Sequence, residues 1–210
     1  MYLLYLREEF KTLAKGSESW LFGSFIFTII MGIFTPFIVI GIAAVLFLLI
    51  FFRDPERNPE STICSDMVSP ADGRILRIKH NKLSIFMNVH NVHVNRAPLE
   101  GEIRDIEYKK GGKLPAFSKN SDRNERNNIT ITTDVGDVTV TQISGTLIRR
   151  IVCYIKKSEK IQRGQRIGMI RFGSRVDVTL PNGYAFIVTK GQKVKAGETV
   201  IAVCKRGGQN

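Results

Sequence analysis

Hydrophobic and polar positions divide the chain into distinct regimes. From Trp20 to Phe52 no side chain is charged, Arg53 to Glu60 is charged and carries Pro55 and Pro59, and from Val68 onward short apolar and polar alternations recur between turn residues. Residues 20–52 exceed the roughly 20 that cross a bilayer as a helix. A single straight helix of that length would reach roughly 50 Å, against a hydrocarbon core of about 30 Å. Gly32 and Thr35-Pro36 fall near its middle, where proline removes a backbone donor and disfavours helix at the residue before it. The pattern therefore predicts a membrane-inserted segment of two short helices folded back on each other, with a single kinked span as the alternative. Basic residues on both sides (Arg7, Lys11 and Lys15 before, Arg53 and Arg57 after) place both ends on the cytoplasmic face of the cell (inner) membrane.

The expected organisation is a flanking segment at 1–19, the membrane segment at 20–52, a linker at 53–67 and one β domain at 68–210. Within the last, Val68-Ser69-Pro70-Ala71-Asp72-Gly73 is turn chemistry, and Arg74 to Ile78 then alternates as a strand. Leu83 to Val94 reads as one or two strands, and Gly101 to Tyr108 as another. Ile129 to Gln142 reads as a hairpin broken at Gly136-Asp137, whereas Lys109 to Asn128 is polar, almost aperiodic and long enough for a functional loop. The spacing Lys157-Ser158-x-x-Ile161-x-x-Gly164-x-x-Ile167-x-x-Ile170 returns as Lys190-Gly191-x-x-Val194-x-x-Gly197-x-x-Val200-x-x-Val203 at a constant offset of 33. These twin units resemble the half-motif of biotinyl- and lipoyl-type domains. With no helix expected between Pro70 and Cys204, the fold class is mainly β, a barrel-sandwich hybrid catalytic domain behind an N-terminal hydrophobic helical membrane hairpin.

Composition changes the picture in two places. A formal charge of +12 points to an anionic partner, and the long uncharged run selects an acidic lipid surface over nucleic acid. Cys64, Cys153 and Cys204 are odd in number and far apart, which supports neither a disulfide framework nor a zinc ribbon and suits a reducing compartment.

Candidate chemistry gathers on a few residues. His90 and His93 are two of only three histidines, and histidine exchanges protons near neutral pH without a large pKa shift. On a regular strand positions three apart face opposite sides, so a turn or bulge must intervene if both serve one site. A zinc pair is the competing use, but no third ligand stands nearby and no metal is expected. Asp72 is the acidic residue set in turn chemistry, and Gly173-Ser174 is either a flexible bulge or a bond that the protein breaks itself. Asp72, His93 and Ser174 together have the composition of a hydrolytic triad.

Ser69-Pro70-Ala71-Asp72-Gly73, the His90-x-x-His93 run ending at Pro98, Asn124-Glu125-Arg126 and Phe172-Gly173-Ser174-Arg175-Val176-Asp177 together resemble the phosphatidylserine decarboxylase family in its short form. Longer members have Leu-Gly-Ser-Thr where this chain has Phe-Gly-Ser-Arg. The resemblance implies a pyruvoyl enzyme that makes its own cofactor from Ser174, with cleavage at Gly173-Ser174 into fragments 1–173 and 174–210 that stay associated. It implies that Asp72 orients His93, that His93 takes the Ser174 proton, and that the substrate amine then condenses with the pyruvoyl ketone, an electron sink as carbon dioxide leaves. It gives His90 a proton-handling or carboxylate-binding role. It gives the loop containing Lys119, Asn124 and Arg126 the anionic phospholipid substrate, phosphatidylserine, which would become phosphatidylethanolamine. Homo-oligomerisation is left open. The rival functions are a membrane-anchored lipoyl-like adaptor without catalysis, which lacks room here for its long helical hairpin, and a zinc endopeptidase.

Overall fold

The computed structural model describes residues 13–32, 38–112, 123–145, 151–171 and 174–205, which form two compact units, 1–56 and 57–210. The first unit holds α1 (Glu18–Gly32) and α2 (Ile38–Phe51). The helices pack on each other where Gly41 meets Thr28, and the Ala14 amide donates to the Phe52 carbonyl at 2.8 Å. Ser24 and Thr28 satisfy their hydroxyls inside α1 by donating to the carbonyls of Leu21 and Ser24. Phe22, Phe25, Ile29, Val39, Ile40 and Ile50 are more than half exposed, so both helices present apolar side chains outward. At about 1.5 Å per residue, helices of 15 and 14 residues fall short of a hydrocarbon core of about 30 Å. Among the described residues no helix is long and apolar enough to cross a membrane, and the expected bend at Thr35-Pro36 lies outside them.

The second unit is mainly β. Its strands are β1 (Met67–Val68), β2 (Gly73–Lys79), β3 (Lys82–Met87), β4 (Val94–Arg96), β5 (Gly101–Lys109), β6 (Arg126–Thr133), β7 (Gly136–Ile143), β8 (Ile151–Cys153), β9 (Lys160–Ile161), β10 (Arg166–Ile170), β11 (Ser174–Thr179), β12 (Tyr184–Phe186), β13 (Lys193–Val194) and β14 (Val200–Cys204). An eight-stranded sheet has the order β13-β2-β3-β11-β7-β6-β5-β9, and two three-stranded sheets have the orders β1-β14-β12 and β4-β10-β8. Register shifts between Ile75 and Arg77 and between Ile103 and Asp105 bend the large sheet around a core that includes Ile75, Leu83, Ile85, Ile129, Ile131, Val140, Val176 and Ile201.

The sequence repeat has a direct structural counterpart. Its first copy supplies β9 and β10 and its second β13 and β14, so β9 and β13 form the two edges of the large sheet. The glycine turns between them, Gly164 (φ 80°) and Gly197 (φ 71°), touch, and their amides donate to the carbonyls of Ala97 and Ser69. Thr133 and Gly136 are register partners, so the β6–β7 turn is Asp134-Val135, earlier than the Gly136-Asp137 break expected from the sequence. The Thr133 hydroxyl closes it by bonding the Gly136 carbonyl and the Val135 amide. The three cysteines are exposed free thiols.

Gly73 opens β2 with φ at +152°, and a Cβ there would lie 2.2 Å from the Phe86 carbonyl oxygen of β3. Gly73→Ala is expected to lower stability by about 1–3 kcal/mol through strain and overpacking, read as a lower midpoint in thermal or urea unfolding of the full chain.

Candidate active site

The inner face of the large sheet changes character from row to row. Leu83, Val178, Val140 and Ile129 are register neighbours and fully buried, as packing requires. The next row is Ile85, Val176, Gln142 and Asn127, half aliphatic and half amide. The row after that pairs Met87, the last residue of β3, with Ser174, the first of β11. Ser174 is 0% exposed, and its hydroxyl donates to the Met87 sulfur at 3.4 Å.

Both histidines lie just past Met87, in a turn and not on a strand. The Asn91 amide donates to the Asn88 carbonyl at 3.0 Å, and the Asn91 side chain accepts from the Asn88 amide at 2.8 Å. This turn removes the alternation problem posed by a three-residue spacing. His90 is exposed and His93 is 1% exposed. His93 Nδ1 lies 2.8 Å from the Asn91 carbonyl oxygen. A carbonyl only accepts, so in the neutral ring the hydrogen sits on Nδ1 and Nε2 keeps the basic lone pair. The His93 carbonyl in turn accepts from the Ile170 amide, and Val94 pairs with Met169. The 88–93 turn is thus held at one end by β10 and at the other by the Met87–Ser174 pair that opens β11.

Asp72 follows the Ser69-Pro70-Ala71 turn and is buried. Its Oδ1 accepts from the Ala196 amide at 2.8 Å, and its Oδ2 from the Val92 amide at 3.4 Å and Arg57 Nη2 at 3.2 Å. The carboxylate is therefore tied to the backbone beside His93, while His93 Nδ1 is held by the Asn91 carbonyl. Arg57 also reaches Glu198 at 3.1 Å, and a hydrogen bond from Lys195, with Arg57 adding to it, holds the Glu198 carboxyl below the usual carboxylate range.

Other sequence candidates are more scattered. Gly173 and Lys119 lie outside the described residues. Asn124 is buried and donates to the Ser144 carbonyl at 2.9 Å, a contact within the fold, and Arg126 starts β6 in the register row of Ile143 and Arg175. On the other face of β11, Arg175 Nη2 donates to Asp177 at 3.1 Å, and Lys82 pairs with the same carboxylate at 3.0 Å. Arg77, Lys79, Lys82, Ser84, Arg175 and Asp177 line a basic pocket there. Sequence reasoning missed Arg57, Asn95, Asn127 and Gln142. The available signal for the last two was an amide where strand alternation calls for an aliphatic side chain.

Residues 45–202 match the family model described as phosphatidylserine decarboxylase. The chain belongs to the phosphatidylserine decarboxylase family. It is an enzyme, a carboxy-lyase of phospholipid biosynthesis. It is 52% identical over 203 residues to a proenzyme named for archaetidylserine decarboxylation in Methanosarcina acetivorans, covering 92% of this chain and 97% of that protein. It is 51% identical over 154 residues to the phosphatidylserine decarboxylase proenzyme of Thermobifida fusca, covering 71% and 70%, and 45% identical over 177 residues to that of Syntrophus aciditrophicus, covering 78% and 82%. Among solved structures, lysostaphin from Staphylococcus simulans aligns with 66% of this chain and 52% of its own at a TM-score of 0.32 and 14% identity, a likeness that bears on neither fold nor activity.

Arg57→Met, which removes the cation from a buried carboxylate, is expected to lower stability by about 1–3 kcal/mol. Because the folded Glu198 carboxyl is held low, the part of this loss that comes from Glu198 should be present at neutral pH and fade as the pH falls through the carboxylate range. Urea unfolding of wild type and variant across that range measures both.

Proposed function

We propose that this chain cleaves itself between Gly173 and Ser174, converts Ser174 to a pyruvoyl group, and removes carbon dioxide from the serine headgroup of phosphatidylserine to leave phosphatidylethanolamine. The observation that carries this reading is the fully buried Ser174 hydroxyl, at the start of β11 and opposite the strand end that leads into the His90–His93 turn. On β11 itself the inward residues that follow, Val176 and Val178, are aliphatic, and a buried serine hydroxyl ahead of them is poorly explained by packing.

In the cleavage step Ser174 Oγ attacks the Gly173 carbonyl carbon, its proton passes to His93, and the Gly173–Ser174 C–N bond breaks to give an ester and a free Ser174 amine. Asn91 holds the His93 ring with Nε2 as the basic nitrogen, and Asp72 holds the backbone beside it through Val92. Loss of the Ser174 Cα proton then breaks the Cβ–Oγ bond, leaving Gly173 as a carboxylate and residue 174 as dehydroalanine. One water replaces its nitrogen, which departs as ammonia, and the pyruvoyl group remains. That group supplies a carbonyl electron sink for decarboxylation of an amino-acid headgroup. Exposed His90, in the same turn, is placed to receive the headgroup carboxylate or return a proton to the α-carbon.

Hydrogen bonding supports continued association of the two fragments. Fragment 174–210 contributes β11 between β3 and β7, β13 beside β2, and β14 beside β1, so each of these strands keeps a partner from 1–173 after cleavage. The touching glycine turns of the twin repeats support a barrel-sandwich reading of the β architecture. We place α1 and α2 in the cytoplasmic face of the cell membrane. Their outward apolar side chains and the net charge of +12 both suit an anionic lipid surface, where each nearby Lys or Arg adds about 1 kcal/mol of attraction.

Denaturing electrophoresis of purified wild type is expected to show one large and one small fragment, and Ser174→Ala to stay intact and release no carbon dioxide from phosphatidylserine vesicles. An intact wild type that is active would overturn the proposal. The same assay with an ether-linked serine phospholipid, the substrate type that the Methanosarcina name points to, reads whether specificity lies in the headgroup or in the tails.

A further inference from the structure

The amide side chains behind Ser174 form a connected chain. Asn127 Nδ2 donates to Gln142 Oε1 at 3.1 Å, Gln142 Nε2 donates to Asn95 Oδ1 at 2.8 Å, and Asn95 Nδ2 lies 3.8 Å from the Met87 sulfur that also receives the Ser174 hydroxyl. Asn127 is 2% exposed, and Gln142, Asn95, Met87 and Ser174 are each 0% exposed.

Packing alone does not ask for these residues. Gln142 continues the inward face of Val138 and Val140, and Asn127 that of Ile131 and Ile129, where aliphatic side chains would bury without needing partners. The fold also makes room for the amides. A Cβ on Gly168 of β10 would lie 2.8 Å from Gln142 Nε2 and 2.5 Å from the Val152 carbonyl oxygen, so β10 carries no side chain where the Gln142 amide passes.

We propose that Asn95, Gln142 and Asn127 are positioning residues for self-cleavage, acting through Met87 on the Ser174 hydroxyl. The proposal rests on the self-cleavage reading above. Methionine has three rotatable bonds and adapts to its surroundings, so an unsupported Met87 would leave the hydroxyl without a fixed rotamer. Asn95, itself held by Gln142, fixes the sulfur from one side. The thioether is a weak acceptor: it orients Oγ–H without taking the proton, and the contact is readily exchanged for a base. The Oγ lone pairs stay available to a carbonyl carbon.

Precursor made in a cell-free system and followed by denaturing electrophoresis over time separates positioning from general loosening. Met87→Leu conserves volume and removes the acceptor, while Gln142→Leu removes the link to Asn95. Both are expected to slow cleavage by on the order of 10- to 100-fold, the scale set by a misplaced reacting atom. Hydroxylamine, which opens an ester but not a peptide bond, should fail to restore the rate, because the defect precedes the ester. Val140→Ala, one row away on the same face, should melt at a lower temperature yet cleave at the wild-type rate. Met87→Leu and Gln142→Leu precursors that keep pace with a cleaving wild type, or that hydroxylamine splits as fast as it splits wild type, would overturn the relay alone. A wild type that never cleaves would instead overturn the self-cleavage reading itself.

Discussion

The antiparallel register between β3 and β11 is the constraint on which the site depends. With Ser174 opposite Met87, β11 begins where β3 ends, and the turn that follows β3 carries His90 and His93. A slip of one residue would send the Ser174 side chain to the other face of the sheet, among Arg175, Asp177 and Lys82. Val176 and Val178 forbid that slip, because it would take them out of the core and turn the charged Arg175 and Asp177 into it, against Leu83 and Ile85. Hydrophobic burial in the middle of the sheet thus sets the placement of a polar group at its end.

Polar burial works against this economy, and the site contains much of it. Asp72, His93, Asn95, Asn127, Gln142 and Ser174 are all buried, and each is held by a named hydrogen bond, many to backbone groups or to one another. Such networks stabilise one geometry only if satisfied throughout, since a buried donor or acceptor left unpaired costs about 1–3 kcal/mol. The row-by-row change from aliphatic to amide to hydroxyl concentrates that demand at one end of the sheet.

Much of this was legible in the sequence. The strand alternations and the 33-residue repeat pointed to a mainly β fold, because each is a local pattern with one dominant physical cause. Asp72, His93 and Ser174 stood out by residue type and motif. The β6–β7 turn falls earlier than its glycine suggests because the hydroxyl of Thr133 closes it at Asp134-Val135. Arg57 sits among prolines and charges, and nothing local tells that it reaches Asp72 and Glu198. Gln142 and Asn127 show in the sequence only as amides at aliphatic positions, since their meaning comes from register partners on other strands, which the linear chain does not show.

In the proposed reaction Ser174 is first a nucleophile and then the cofactor. Intact-mass spectrometry of the small fragment tests this most directly. The expected fragment begins at position 174, is lighter by one ammonia than the same fragment with a free serine at its N-terminus, and resists sequencing from that end. A fragment beginning with unmodified Ser174, or a chain found only intact, would contradict it.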